Sequence, residues 1–133
     1  MRTYDPTEVQ INIGNLTLTG VADGTFIKIA RTTAERYKKK VGAKGEVSRS
    51  RVSDKSGTIE VTLKHTSPSN QKLYMQDKIP ATFPITIIEN GSSKFVASAT
   101  EAWIEKIPAP EFGAEESNAV WVFGCADLDY GQI

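Results

Sequence analysis

A period of two runs through most of this chain, and it constrains the fold more than any other feature. Val9, Ile11 and Ile13 alternate with Gln10 and Asn12, and Ile59, Val61 and Leu63 alternate with Glu60, Thr62 and Lys64. Successive side chains of a strand point to opposite faces, so such runs bury one face and wet the other. Gly14-Asn15 stands between Ile13 and the alternating Leu16 and Leu18, which predicts a tight hairpin. Phe26 and Ile29 predict a strand after the Asp23-Gly24 turn. The β-branched run 83–89 is followed by Asn90-Gly91, a strong hairpin cue, and 95–104 and 120–126 complete a set of seven strands. Pro84 cannot donate to a ladder, so its strand is expected to begin there or to lie at an edge. One segment departs from alternation. Ser67-Pro68 offers an N-cap and a proline at the first helical position, Leu73, Tyr74, Met75 and Ile79 supply a partial apolar face, and Pro80 is a stop. A helix over about 67–79 follows. The expected fold is mainly β: a β-sandwich or partly closed barrel with one flanking helix, as a single domain over 1–133.

The charges are segregated. Residues 31–55 hold nine Lys or Arg against three acids, whereas residues 101–133 hold one Lys against seven acids, although the chain sums to zero. Opposed patches of that size suit a protein that binds copies of itself. The basic stretch carries Lys38, Lys39, Lys40, Lys44, Arg49 and Arg51, with Val41, Val47 and Val52 its only sizeable aliphatics. A structureless loop of that length is unusual in a compact domain, so residues 31–57 are expected to form an extended arm or long hairpin between strands. Residues 107–118 carry Pro108, Pro110 and Gly113 with Glu111, Glu115 and Glu116, and read as a stiff acidic loop. These cations and acids are the candidate contact residues.

Chemistry is hard to place. With one histidine, His65, and one cysteine, Cys125, there is no zinc ligand set and no disulfide framework. His65 reads as a cap-region residue, and Cys125, inside the apolar run 119–126, as a small buried hydrophobe of a reducing compartment. Gly42-Ala43-Lys44-Gly45 lacks the spacing of a phosphate loop, and the acids of residues 127–131 lack the remaining ligands of a calcium loop. The two glycosylation patterns, at Asn15 and Asn90, read as turn chemistry. No cofactor is expected, and a non-enzyme is. No apolar run approaches the roughly 18–20 residues of a membrane helix, and the first residues lack a signal-peptide pattern. The basic cluster could neutralise phosphates, but Tyr37 is its only aromatic and the acidic half would repel DNA. A carbohydrate-type module would show exposed aromatics, whereas Trp103 and Trp121 are both expected in buried strands. A small ligand- or DNA-associated sandwich therefore stays as the alternative to self-association.

The runs Val41-Gly42-Ala43-Lys44-Gly45-Glu46-Val47-Ser48-Arg49, Thr66-Ser67-Pro68-Ser69-Asn70, Glu101-Ala102-Trp103-Ile104-Glu105-Lys106 and Cys125-Ala126-Asp127-Leu128, in that order and spacing, resemble the tail tube proteins of contractile-tailed bacteriophages. Tyr4-Asp5-Pro6 and residues 20–26 extend the likeness over nearly the whole chain. The resemblance implies a small β-sandwich or barrel whose copies form hexameric rings stacked into a hollow tube. It also implies tail sheath and baseplate partners, non-specific passage of DNA through an electronegative lumen, and assembly in the host cytoplasm into a virion tail. Type VI secretion and pyocin tubes share that architecture. On this reading the arm reaches a neighbouring subunit or ring, its cations meeting Glu111, Glu115, Glu116, Asp127 or Asp129.

Overall fold

The computed structural model describes residues 9–22, 26–91, 94–113 and 117–132. Ten strands and one helix follow in the order β1 (Val9–Ile13), β2 (Leu16–Thr17), β3 (Ile27–Arg31), β4 (Tyr37–Val41), β5 (Val47–Arg51), β6 (Gly57–Lys64), α1 (Ser69–Asp77), β7 (Phe83–Glu89), β8 (Phe95–Lys106), β9 (Asn118–Cys125) and β10 (Asp129–Gln132). Eight strands make one sheet in the order β2-β1-β7-β8-β9-β6-β3, with β10 also on β8, while β4 and β5 pair only with each other. All pairings are antiparallel.

β8 turns this sheet into a sandwich. Its first half pairs with β7 and β10, and its second half with β9. Register shifts between Phe83 and Ile85 and between Ile104 and Lys106 mark the bends. Bulges of this kind let one strand serve two layers. The sheet does not close into a barrel. At its open seam the Arg31 guanidinium lies 3.7 Å from the Asp129 carboxylate and 5.8 Å from the Tyr130 ring centroid, joining the end of β3 to the start of β10 through side chains.

The alternation read from the sequence is the burial pattern. Gly57, Ile59, Val61 and Leu63 point inward from β6 and face Cys125, Phe123, Trp121 and Ala119 of β9 in register. Within this layer Leu63 opposes the small Ala119 and Val61 the large Trp121, so volumes compensate across those pairs. Ile11, Ile13, Leu18, Leu73, Phe83, Ile85, Ile87, Ala97, Ala99, Ala102 and Leu128 complete the buried cluster. Gly57 is required by packing, because a Cβ there would sit 2.8 Å from the Ala30 carbonyl and 2.5 Å from Leu128.

α1 is shorter than expected, and Ser67 caps it from two residues outside. The Ser69 N–H donates to Ser67 Oγ at 3.3 Å and the Asn70 N–H to the Ser67 carbonyl at 3.2 Å. Ser67 Oγ in turn donates to the Thr19 carbonyl at 2.5 Å, which clamps the helix start on the chain after β2. Gly20 makes this approach possible: its φ is +73°, and a Cβ would meet Ser67 at 2.7 Å. Asn70 then joins the helix to the core. Its Oδ1 accepts from Trp121 Nε1 at 2.9 Å, and its Nδ2 donates to the carbonyls of Lys64 at 2.9 Å and His65 at 3.2 Å. Leu73 is fully buried, and Tyr74 meets Trp121 edge to face at 4.8 Å.

Two expectations change. Pro84 lies in β7 between β1 and β8, one residue after the strand begins, and the bulge beside it removes the need for its missing donor. β7 and β8 pair antiparallel across the Asn90-Gly91 cue, and Lys94, just before β8, has a left-handed backbone (φ 50°). Trp103 is 40% exposed, on the outer face of β8, whereas Trp121 is 0% exposed. The expected Asp23-Gly24 turn lies outside the described residues.

A candidate self-association surface

Residues 32–56 extend the β3–β6 pair outward. The Thr32 N–H donates to the Ser56 carbonyl at 3.0 Å and the Val52 N–H to the Arg36 carbonyl at 2.9 Å, so the ladder resumes beyond a short break. Asp54 stiffens that break. Its carboxylate accepts from Ser56 N at 3.0 Å, Ser56 Oγ at 2.7 Å and Thr33 Oγ1 at 3.2 Å. The bonds from Ser56, then that from Thr33, hold its pKa below the ordinary carboxylate value.

The basic arm is thus a hairpin. Tyr37 pairs with Arg51, Lys38 with Ser50, Lys39 with Arg49, Lys40 with Ser48 and Val41 with Val47. Gly42 N–H donates to the Glu46 carbonyl at 2.8 Å and Gly45, at φ +85°, turns the tip. The Gly-Ala-Lys-Gly run is this tip. Every residue of β4 and β5 is exposed. An isolated two-stranded ribbon is marginal in water, and this one is anchored at its root by the β3–β6 pair that it continues.

Directly opposed residues of an antiparallel pair share a face. One face of the hairpin therefore carries Tyr37, Lys39 and Val41 with Arg51, Arg49 and Val47, and the other carries Lys38 and Lys40 with Ser50 and Ser48. On the first face the Arg49 guanidinium lies 4.2 Å from the Tyr37 ring centroid. At the root, Arg31, Arg36, Tyr37, Arg51, Val52, Ser53 and Lys55 line an open concavity of about 560 Å³ with no acid among them.

The six predicted contact cations, Lys38, Lys39, Lys40, Lys44, Arg49 and Arg51, fall together on this hairpin. None of them pairs with a described acid, since Arg31–Asp129 is the ion pair among the described residues. Glu111 is exposed, and its carbonyl accepts from Ser117 Oγ at 2.8 Å. Glu115 and Glu116 lie outside the described residues. Asp127 is committed locally. Its carboxylate accepts from Thr100 Oγ1 at 2.5 Å, Thr100 N at 3.0 Å and Glu101 N at 3.3 Å, and these bonds, led by the hydroxyl, lower its pKa.

A second surface was missed by sequence reasoning because it depends on which face of β8 is outermost. Gln76, Asp77, Ile79, Pro80, Ala81, Thr82, Phe83, Trp103 and Ile104 line a groove of about 270 Å³ between the end of α1 and β8. The Trp103 indole lies over Gly124, where an added Cβ would be 2.5 Å from Nε1. Ile79 on the groove is 53% exposed.

The chemistry-bearing residues are placed as expected from the sequence. Cys125 is buried, which with the nearby charges of Asp127 and Glu105 pushes its thiol up to about 11. The His65 ring meets Phe112 edge to face at 5.1 Å, beside the helix start. Among the described residues no group of three or more His, Cys, Asp or Glu could hold a metal ion.

Three solved structures share the fold. The anti-feeding prophage cap, which terminates that tube, superposes with a TM-score of 0.71 at 10% identity, covering 100% of this chain and 93% of that one. A chain of the sheath–tube complex of the PVC extracellular contractile injection system, in its extended state, gives 0.67 at 11% identity, over 98% and 93%. The sheath/tube terminator of the same system gives 0.69 at 10% identity, over 98% of both chains. Such identities establish a common fold. No curated protein matches the sequence. Residues 9–131, however, match the family described as bacteriophage PhiTE tail tube protein, which spans the whole sandwich, hairpin and helix and bears out the tail-tube resemblance. This chain belongs to that phage tail tube protein family.

Proposed function

We propose that this chain is the structural subunit of a contractile tail tube, building stacked hexameric rings through which DNA is delivered to the host. The observation that carries this reading is the pairing of a tail-tube family match over 9–131 with a hairpin whose two faces are both exposed. A ribbon standing clear of its own domain is shaped for a neighbour, and head-to-tail contacts close into rings or propagate as helices. The cationic hairpin makes the inter-subunit contact, and the acidic loop with Glu111, Glu115 and Glu116 supplies opposite charge. Exposed strand edges at β3 and β10 join those of neighbours, which removes edges that would otherwise invite aggregation. Sheath and baseplate proteins are the partners, the role is non-enzymatic, and assembly takes place in the bacterial cytoplasm. The test is negative-stain electron microscopy of concentrated protein across a salt series, with immunogold labelling of particles. Six-fold rings or hollow tubes of uniform width are expected. A protein absent from assembled tails and monomeric at all salt concentrations would overturn the reading.

A further inference from the structure

The two faces of the hairpin are chemically different, and one of them has a counterpart elsewhere among the described residues. Val41 and Val47, 58% and 64% exposed, sit opposite each other at the tip, followed on the same face by Lys39 with Arg49 and then by Tyr37 with Arg51. The other face offers only lysines and serines. The groove between α1 and β8 has the matching pattern: an apolar floor of Ile79, Phe83 and Trp103, with Asp77 in its wall. Glu101, exposed on β8, is two residues from Trp103 and therefore projects from the same side of the strand.

We infer that the hairpin docks by its valine face into the Ile79–Trp103 groove of a second copy, with Lys39, Arg49 and Arg51 toward Asp77 and Glu101 and with Lys38 and Lys40 left in solvent. Apolar contact excludes water from the centre, and the opposite charges fix the register of approach. Among the described residues neither patch has a partner, and the two are different surfaces, so the contact is head-to-tail and repeats. This inference rests on the proposed tube reading and specifies its interface.

The test is disulfide trapping combined with paired variants. Val47→Cys with Ile79→Cys in one chain is expected to give, on mild oxidation of assembled protein, a ladder of covalent oligomers that either single variant does not give. Val41→Asp with Val47→Asp is expected to cut the sedimentable fraction at least tenfold with an unchanged monomer melting temperature, whereas Lys38→Glu with Lys40→Glu leaves more than half of it. Intact assembly without a ladder overturns the groove contact, and so does sensitivity confined to the Lys38 and Lys40 pair. In both results the hairpin remains the assembly element. If a chain with residues 38–50 replaced by a short Gly-Ser turn assembles normally, the hairpin reading falls as well.

Discussion

Removing the Asn70 side chain tests whether the helix is held by hydrogen bonds or by apolar packing. Only Leu73 of α1 is a fully buried hydrophobe, so packing alone gives this helix little. Asn70 makes three side-chain hydrogen bonds, and the most consequential is the acceptance of the fully buried Trp121 Nε1–H. No buried side-chain polar atom among the described residues lacks a partner, so Asn70→Ala creates a defect where none exists. The stranded indole N–H costs about 1–3 kcal/mol, and the lost bonds to the main chain add about 1 kcal/mol. The Lys64 carbonyl keeps the Ser67 N–H at 2.9 Å, which limits that second part. A total of about 2–4 kcal/mol corresponds to a fall in Tm of roughly 10 °C for a chain of this size. Urea denaturation of the monomer measures it, and a cycle with Trp121→Phe isolates the pair. Removing both partners leaves no unpaired N–H, so the double variant is expected to be less destabilised than the sum by at least about 0.5 kcal/mol. Strict additivity, or a cost for Asn70→Ala below about 0.5 kcal/mol, would refute the argument.

Trp121→Ala is expected to cost about 3–5 kcal/mol and Trp103→Ala much less, since only the former empties a buried site; denaturant midpoints compare them. Gly57→Ala should lose about 1–3 kcal/mol, because the new methyl meets the Ala30 carbonyl, whereas at Gly124 the half-exposed Trp103 ring can swing away, a displacement read by its fluorescence. Asp127 binds a proton less readily folded than unfolded, so its stabilisation is present above the unfolded pKa and is lost as pH falls through the folded one. Asp127→Asn should therefore flatten the acid limb of Tm against pH. Cys125, raised to about 11, should resist thiol reagents at pH 8 in the folded protein and react at once in denaturant; equal rates would contradict its burial.

What could be read from the chain was whatever period and charge state directly. Alternation at Ile59, Val61 and Leu63 foretold both a strand and its inner face, because a strand's side chains must alternate whatever its neighbours are. Segregated charge marked the hairpin and its cations for the same reason: no core can hold Lys38-Lys39-Lys40, so the segment must stand in water. The order of strands, the shared use of β8 and the open seam bridged by Arg31 and Asp129 were not legible, since they depend on partners distant in sequence. β10 escaped notice altogether. Asp129-Tyr130-Gly131-Gln132 has no alternating pattern, all four residues are exposed, and only pairing with β8 makes them a strand. The two tryptophans show the same division. Both lie in strands that sequence marks as buried, but a bulge and a register decide that Trp121 faces the core, while Trp103 faces out over Gly124. Sequence determined that this chain would be a β protein with a basic arm. Tertiary structure decided which face of each strand is outermost, because side-chain direction is local whereas burial is set by what packs above it, and the outward faces are the ones a neighbouring copy can meet.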